Sequence, residues 1–260
     1  MNDRQRSDAL MQWLATPPGR YLLAWEQAQL DRVVADMFGF HALQHGLIEL
    51  EALRANRMPH RWLASEHVED PGRVAVVTHA DALPFPERSL DLVVLPHTLE
   101  LAADPHQALA EVERVLMPEG RVVILGFNAA SLWGLRQRRA HLYRRMGFGQ
   151  LYLPREGEFI GYWRLRDWLR LLSFEVEGGR FGAYRPALTS ERWLERFGWM
   201  DRVGDRWWPV LGAVYMVVAV KRVRGMRLVG LAKRERIKAP AAPAVVANHR
   251  AHRREPADIS

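Results

Sequence analysis

Short apolar segments alternate with polar or helical connectors through the first half of the chain. Runs such as Leu92-Val93-Val94-Leu95 and Val122-Val123-Ile124-Leu125 are apolar throughout, which is typical of strands buried on both faces. Between them, residues 104–116 have apolar positions at helical spacing after Asp104-Pro105, a favoured helix start, and we expect Pro118-Glu119-Gly120 to end that helix. This order predicts a parallel sheet with helical crossovers. The predicted strands are residues 40–44, 61–64, 73–78, 90–95 and 121–127.

The first 37 residues predict a helical lead-in. Thr16-Pro17-Pro18-Gly19 interrupts one short amphipathic segment, and residues 21–37 then carry apolar side chains at helical spacing up to Gly39. We therefore predict three parts: the lead-in at 1–37, a main domain at 38–224, and a basic tail at 225–260 whose Arg, Lys, Ala and Pro content is typical of disorder.

The pattern changes after Phe127. A basic segment at 131–146 is expected to be a solvated helix face, residues 165–172 predict a short helix, and 174–181 and 214–223 predict two late strands. An insertion at about 185–210 separates those strands and holds four tryptophans. Packing of Trp193, Leu194, Phe197 and Met200 over the sheet is one interpretation. An acceptor pocket or a membrane-facing surface, with tryptophan beside arginine, is the other.

Charge and composition narrow the class of protein. The chain of 260 residues carries +7, but residues 221–260 alone carry +8, so the body is close to neutral and nucleic-acid binding by the body is not expected. The chain has no cysteine, which excludes disulfide bonds and thiolate chemistry. The start lacks the pattern of a secretory signal, and the longest apolar run, residues 210–220, is too short to span a bilayer, so we expect a cytoplasmic protein.

The most informative stretch runs from Asp81 to Gly120. It reads Asp81-Ala82-Leu83-Pro84-Phe85, then Ser89-Leu90-Asp91, then Arg114-Val115-Leu116-Met117-Pro118-Glu119-Gly120. This series resembles class I S-adenosylmethionine-dependent methyltransferases, in the branch with a D-A-x-x-L-P-F motif. Glu119 stands where that family usually has the first glycine of a pair. The resemblance covers roughly residues 40–223 and is specific over 78–127.

The resemblance implies roles for residues that follow strands. Asp81 would accept a hydrogen bond from the adenine amine, the backbone of Ala82 and Leu83 would meet the ring, and Leu95-Pro96-His97 would lie under the methionine part of the cofactor. An aspartate that shapes a turn is the alternative for Asp81. His97 is a weak candidate for a catalytic base, and a purely structural histidine is the alternative.

The sequence departs from the family at two places. The glycine-rich loop expected after the first strand is reduced to Gly46, preceded by Gln44, and the carboxylate expected after the second strand is represented by Ser65 and Glu66. Either the protein is a divergent member that holds the cofactor differently, or the fold has lost its ligand. The histidines lack the spacing of a helical zinc motif, so no metal site is predicted.

The resemblance implies a three-layer α/β sandwich with a mainly parallel, seven-stranded sheet and an antiparallel last strand. Our first hypothesis is a methyltransferase that uses S-adenosylmethionine and acts on a small or membrane-associated, lipid-like acceptor. A catalytically silent relative that binds a partner through the insertion or the tail is the second. Weak contact of the basic tail with an anionic surface or nucleic acid is a third possibility.

Overall fold

A seven-stranded sheet forms the centre of the protein. The computed structural model of the chain describes residues 3–67, 72–145, 152–153 and 159–222. The strand order is β3-β2-β1-β4-β5-β7-β6, with β7 antiparallel to both of its neighbours and the other pairs parallel. The predicted fold class is therefore confirmed. The strands are β1 (His41–His45), β2 (His60–Ser65), β3 (Val76–Val77), β4 (Leu90–Pro96), β5 (Leu116–Phe127), β6 (Phe174–Gly182) and β7 (Val214–Lys221).

Helices cover both faces of the sheet, which explains why the central strands are apolar throughout. In β4, Leu92 and Val94 belong to one buried cluster, whereas Val93 and Leu95 belong to the cluster on the opposite face. A side chain on either face of this strand is thus removed from water. The helices are α1 (Asp3–Leu14), α2 (Pro17–Ala35), α3 (Thr98–Leu101), α4 (Pro105–Val115), α5 (Leu132–Arg145), α6 (Tyr162–Leu171), α7 (Glu191–Arg196) and α8 (Trp199–Trp207), followed by a 3-10 turn at Pro209–Leu211.

Helix α4 begins where the sequence predicts and ends earlier. The Asp104 carboxylate accepts hydrogen bonds from the backbone nitrogens of His106 at 2.9 Å and Gln107 at 3.1 Å, as an N-cap does. The helix ends at Val115, within one residue of the predicted end at Leu116, and residues 118–120 belong to β5, which begins at Leu116 and pairs with β4 there.

The helical lead-in is part of the same core as the sheet. Leu14 of α1 and Leu22, Leu30 and Val34 of α2 are fully or almost fully buried in the cluster that holds Leu92 of β4. The predicted helix at 21–37 is confirmed as part of α2. The boundary at residue 37 remains a prediction, and the tail at 225–260 lies outside the described residues.

The insertion between β6 and β7 folds as α7, α8 and the 3-10 turn, and it leaves its tryptophans in contact with solvent. Leu194 is buried as expected, but Trp193, Trp199, Trp207 and Trp208 are each at least half exposed. The packing interpretation is therefore wrong for Trp193, whereas Phe197 and Met200 are half-buried. Polar contacts hold the insertion instead, since the Asp201 carboxylate accepts from Arg185 Nε at 2.9 Å. No helix among the described residues is long and apolar enough to cross a membrane.

Glu119 shows the cost of departing from the family pattern. Its φ of 65° lies in the left-handed region that glycine favours, and its carboxylate pairs with Arg222 at the surface. We predict that Glu119→Gly is more stable than Glu119→Ala by roughly 0.5–1 kcal/mol, because both variants lose the ion pair and only glycine relieves the backbone strain. Urea unfolding of the two variants measures this difference. Equal stabilities would show that the backbone here is not strained.

Candidate functional site

A pocket lies at the carboxyl ends of β1, β2 and β4. This is the edge where open parallel sheets bind ligands. Its cavity volume is about 40 Å³, well below the roughly 300–1,000 Å³ of common ligand sites, so a ligand of ordinary size would have to displace part of the lining. The lining comprises Ser7, Leu10 and Met11 of α1; His45, Gly46, Leu47 and Ile48 after β1; Ser65, Glu66 and His67 after β2; and Thr98 and Leu101 of α3.

The loop after β1 keeps a glycine-type backbone with one glycine. Gly46 has a φ of 85° and Leu47 a φ of 24°. A Cβ atom at position 46 would lie 2.9 Å from Thr98 Oγ1, so a larger residue would both strain the loop and displace Thr98. The wall of the pocket therefore depends on Gly46, and the contact of Gly46 with a cofactor stays a prediction.

Gln44 shapes this loop from behind rather than facing the pocket. Its Nε2 donates to the carbonyls of Leu47 at 3.0 Å and Leu50 at 2.7 Å, and its Oε1 accepts from the Ala52 nitrogen at 2.9 Å. These hydrogen bonds engage the Gln44 side chain with the loop, and its predicted contact with a cofactor stays a prediction. The Gln44 amide satisfies the polar groups of a loop that lacks the usual glycines.

His45 lines the pocket and has a buried acceptor without a partner. Its Nε2 lies 3.1 Å from the Thr78 carbonyl, which can only accept, so Nε2 carries the proton and Nδ1 is left as a lone pair. Nδ1 is buried and has no hydrogen-bond partner among the described residues. Burial lowers the pKa of His45 to about 4, despite the hydrogen bond to Thr78 and the charge of Asp81, so the ring is neutral at pH 7.

The end of β2 brings Ser65 and Glu66 to the same pocket. Both side chains line it beside Gly46, and His79 Nδ1 lies 3.7 Å from Glu66 Oε1. The pocket also contains His67, whose Nε2 is buried without a hydrogen-bond partner in the described chain. Three of the residues singled out from the sequence, Gly46, Ser65 and Glu66, are thus adjacent.

The Asp81 loop lies outside the lining residues and is fastened to α4. Thr78 Oγ1 donates to the Ala82 carbonyl at 2.7 Å, and the Leu83 nitrogen donates to Glu111 Oε2 at 3.2 Å. Asp81 is close enough to His45 for its charge to act on the imidazole. The structure shows both a shaped turn and an aspartate near the pocket, so the roles of Asp81, Ala82 and Leu83 stay predictions.

His97 lies between two carboxylates in the interior. Its Nδ1 is 2.7 Å from Glu100 Oε2 and its Nε2 is 2.8 Å from Glu26 Oε1, and neither histidine nor Glu26 has any exposed side-chain surface. Burial alone would lower the pKa of His97, but the two carboxylates raise it to about 10. His97 is therefore an imidazolium with both nitrogens occupied, and the structure speaks against its being a catalytic base. The neighbouring Leu95 and Pro96 are buried at the end of β4.

Glu26 was not identified from the sequence. It lies 71 positions from His97, on a different element, so no local motif connects the two residues. The available signal was its place on α2: Glu26 occupies the helical position between Leu22 and Leu30 on the buried side. A carboxylate in such an apolar stripe requires a buried partner.

Known proteins resemble this chain over the strands that form the pocket. A methyltransferase domain family matches residues 56–124, which include β2, β3, β4 and most of β5. YafS, an uncharacterised protein of Escherichia coli (strain K12), is 31% identical over 214 residues, which are 81% of this chain and 80% of that protein. The chain belongs to the class I S-adenosylmethionine-dependent methyltransferase family.

Two further kinds of relative agree with the family. An S-adenosylmethionine-dependent methyltransferase from Thermotoga maritima shares the fold, with a TM-score of 0.55, 15% identity, and coverage of 78% of this chain and 90% of that one. One from Archaeoglobus fulgidus has a TM-score of 0.54 and 18% identity, over 76% and 94%. A ubiquinone/menaquinone biosynthesis C-methyltransferase of Ruegeria sp. (strain TM1040) is 29% identical over 157 residues, 59% of this chain and 58% of the relative.

The family implies S-adenosylmethionine as cofactor, and the residues of the pocket fit it. A cofactor with ribose hydroxyls and an ammonium group needs acceptors, and the lining residues Glu66, Ser65 and His45 carry acceptor atoms. Gly46 provides a wall with no Cβ. Among the described residues, no group of three or more His, Asp or Glu side chains is placed to hold a metal ion.

The His97 cluster predicts a pH dependence of stability. Because the folded-state pKa of about 10 exceeds the ordinary value of 6.5, the cluster contributes fully below about pH 6.5 and loses its contribution as the pH rises towards 10. His97→Gln should remove this decline and lower the free energy of unfolding at pH 6.5 by about 3–5 kcal/mol. Urea unfolding between pH 6.5 and 10 measures both effects.

The exposed His106 supplies the control for this experiment. His106→Gln should leave the wild-type decline with pH intact, since its ring lies at the surface beside Trp168. An unchanged slope in His97→Gln would mean that the buried imidazole is neutral.

Proposed function

We propose that the protein transfers the methyl group of S-adenosylmethionine to a small or membrane-associated acceptor. The observation that carries this proposal is the pocket at the carboxyl ends of β1, β2 and β4, with its glycine wall and its unpaired buried acceptor on His45. The family match is consistent with it. The apolar part of the lining consists of Leu47 and Ile48 after β1 and of Leu10, Met11 and Leu101 on the helices that cover the pocket.

In this proposal, different residues of the pocket bind different parts of the cofactor. Glu66 and Ser65 accept hydrogen bonds from the ribose hydroxyls, because they follow β2 and face the pocket. The loop at Gly46 meets the amino-acid end, where its missing Cβ permits close approach of the backbone. The remaining assignments follow the family: Asp81, Ala82 and Leu83 at the adenine, and the backbone of Leu95, Pro96 and His97 at the methionine.

Bound S-adenosylmethionine supplies an activated methyl group, so the protein contributes mainly position and exclusion of water. His45 serves as a neutral hydrogen-bond acceptor rather than a base, since its pKa is lowered to about 4. His97 holds its proton between Glu26 and Glu100 and keeps the turn after β4 in place.

A small-molecule acceptor is supported by the relatives. The Ruegeria protein is named as a C-methyltransferase of ubiquinone and menaquinone biosynthesis, and the match covers 59% of this chain. The family matches do not favour the catalytically silent alternative. The proposed contacts of the basic tail fall on residues 225–260, outside the described part of the chain.

Cofactor binding tests the proposal directly. Titration of the protein with S-adenosylhomocysteine in a calorimeter should show saturable binding to one site. Glu66→Gln should weaken it roughly ten- to hundredfold, because hydrogen bonds to a charged group contribute about 1.5–3 kcal/mol.

A glutamate far from the pocket gives the matched control. Glu177→Gln removes a carboxylate on β6 that pairs with Arg121 at 3.0 Å and should leave the affinity unchanged. Absence of heat at millimolar ligand would overturn the proposal, and equal losses in both variants would refute the role of Glu66.

A further inference from the structure

Helix α5 exposes apolar side chains along its length. Leu135 is 54% exposed and Leu142 is 59% exposed, and Leu132 and Tyr143 are each 45% exposed. The opposite side of the helix is buried through Trp133 and Gln137. A solvated helix face, as the sequence predicted, would not carry four large apolar groups in water.

These four apolar side chains share one side of the helix. At 3.6 residues per turn, Leu142, Leu135, Leu132 and Tyr143 fall within an arc of about 100°. Arg139 points from the middle of this arc, and Arg138 and Arg136 lie next to its two borders. We call Leu132, Leu135, Arg136, Arg138, Arg139, Leu142 and Tyr143 the cationic face.

The helix carries positive charge without compensation on its own length. Residues 132–145 include five arginines and one histidine, and neither aspartate nor glutamate. Arg136 stacks over Tyr152 with its Cζ 4.6 Å from the ring centre, and Arg139 lies over Tyr143 at 6.0 Å. Neither they nor Arg138 form an ion pair with a carboxylate of the described residues.

Residues 191–211, with their exposed tryptophans, are called the Trp segment here, and the chain just before this segment contacts α5. Trp133 Nε1 of α5 donates to the Arg185 carbonyl at 2.7 Å, and α5 forms a groove with Pro186 and Ala187. On α8, Trp199 and Trp207 fall on one side with Arg202 and Arg206 beside them, by the same 3.6-residue geometry.

Both features lie at the edge of the sheet that holds the pocket. Helix α5 follows the end of β5 at Phe127, and the Trp segment joins the end of β6 at Gly182 to the start of β7 at Val214. Phe127 pairs with Val214, which pairs with Gly182, so the three strand ends are adjacent. The pocket opens beyond the ends of β1 and β4 along this same edge.

We propose that the cationic face and the Trp segment dock on the surface of a membrane that contains anionic phospholipid. Leucines beside arginines on one side of a helix let apolar groups enter the boundary between headgroups and acyl chains while the guanidinium groups meet phosphates. Tryptophan, which has an apolar ring system and a polar N–H group, is enriched at the same interface between headgroups and acyl chains. The inference goes beyond the proposed function, since it concerns a surface that needs no cofactor.

Lipid fits this surface better than nucleic acid or protein. Nucleic acid would use the arginines and gain nothing from Leu135 and Leu142, whose aliphatic side chains neither stack on bases nor bind phosphate. A protein partner would leave the affinity independent of lipid charge. The surface of an anionic bilayer offers acyl chains to the leucines and phosphates to the arginines within one contact.

Co-sedimentation of the full chain with vesicles tests this inference. Vesicles of phosphatidylcholine with about 30% phosphatidylglycerol carry a negative surface charge. They should bind the protein at least tenfold more strongly than vesicles of phosphatidylcholine alone. Added salt should weaken that binding. Leu135→Ser with Leu142→Ser, and separately Arg138→Gln with Arg139→Gln, should each reduce it about tenfold or more.

Equivalent residues at the opposite edge of the sheet supply the controls. Leu171 is 81% exposed at the end of α6, next to the start of β6, and Arg170 beside it is also exposed. Leu171→Ser and Arg170→Gln should bind vesicles as the wild type does. Circular dichroism and urea unfolding of every variant show whether it is folded, and the single changes Leu135→Ser and Leu142→Ser replace the double variant if it is not.

Three outcomes would overturn the inference. The first is equal binding to neutral and anionic vesicles, and the second is an equal loss of binding in the control variants. The third is a wild-type protein that does not bind vesicles but forms a dimer, with the dimer lost in the Leu135→Ser, Leu142→Ser variant. Because vesicle binding is measured without cofactor and S-adenosylhomocysteine is titrated without vesicles, failure of one proposal is distinguishable from failure of the other.

Discussion

The buried contact of His97 with Glu26 and Glu100 links the helical lead-in to the edge of the sheet where the pocket lies. Charges without water are tolerated only when they are paired and hydrogen-bonded, so α2 must hold Glu26 against the turn after β4. Glu100 Oε1 also accepts from the Phe127 nitrogen at the end of β5. Three elements therefore meet at one ionic cluster, and α1, which precedes α2, supplies Ser7, Leu10 and Met11 to the pocket wall.

The loop after β1 shows how a shape can be kept with different residues. The family achieves close approach of the backbone with several glycines, whereas this chain keeps one at Gly46 and fastens the following residues through the Gln44 amide. Glycines would let this loop adopt its conformation because they lack a Cβ. In this chain the hydrogen bonds of the buried Gln44 amide hold the loop in that conformation instead. The departure from the glycine motif thus changes how the pocket is built while its position is retained.

The parts that depend on local pattern could be predicted from the sequence, and those that depend on distant partners could not. The apolar run of β4 and the N-cap at Asp104 both follow from neighbours within a few residues. Gly46, Ser65 and Glu66 were identified because each follows a strand. The pairing of His97 with Glu26 joins residues 71 positions apart, and the exposure of Trp207 depends on how a short insertion packs. Neither the His97–Glu26 pairing nor the exposure of Trp207 can be predicted from the spacing of apolar residues along the chain.

The position of the cationic face constrains how an acceptor reaches the pocket. Helices α1 and α3 and the loops after β1 and β2 enclose the pocket along the same edge from which α5 and the Trp segment project. An apolar acceptor dissolved in a bilayer crosses little water when the edge that binds lipid is also the edge that binds cofactor, so its hydrophobic transfer cost is kept low.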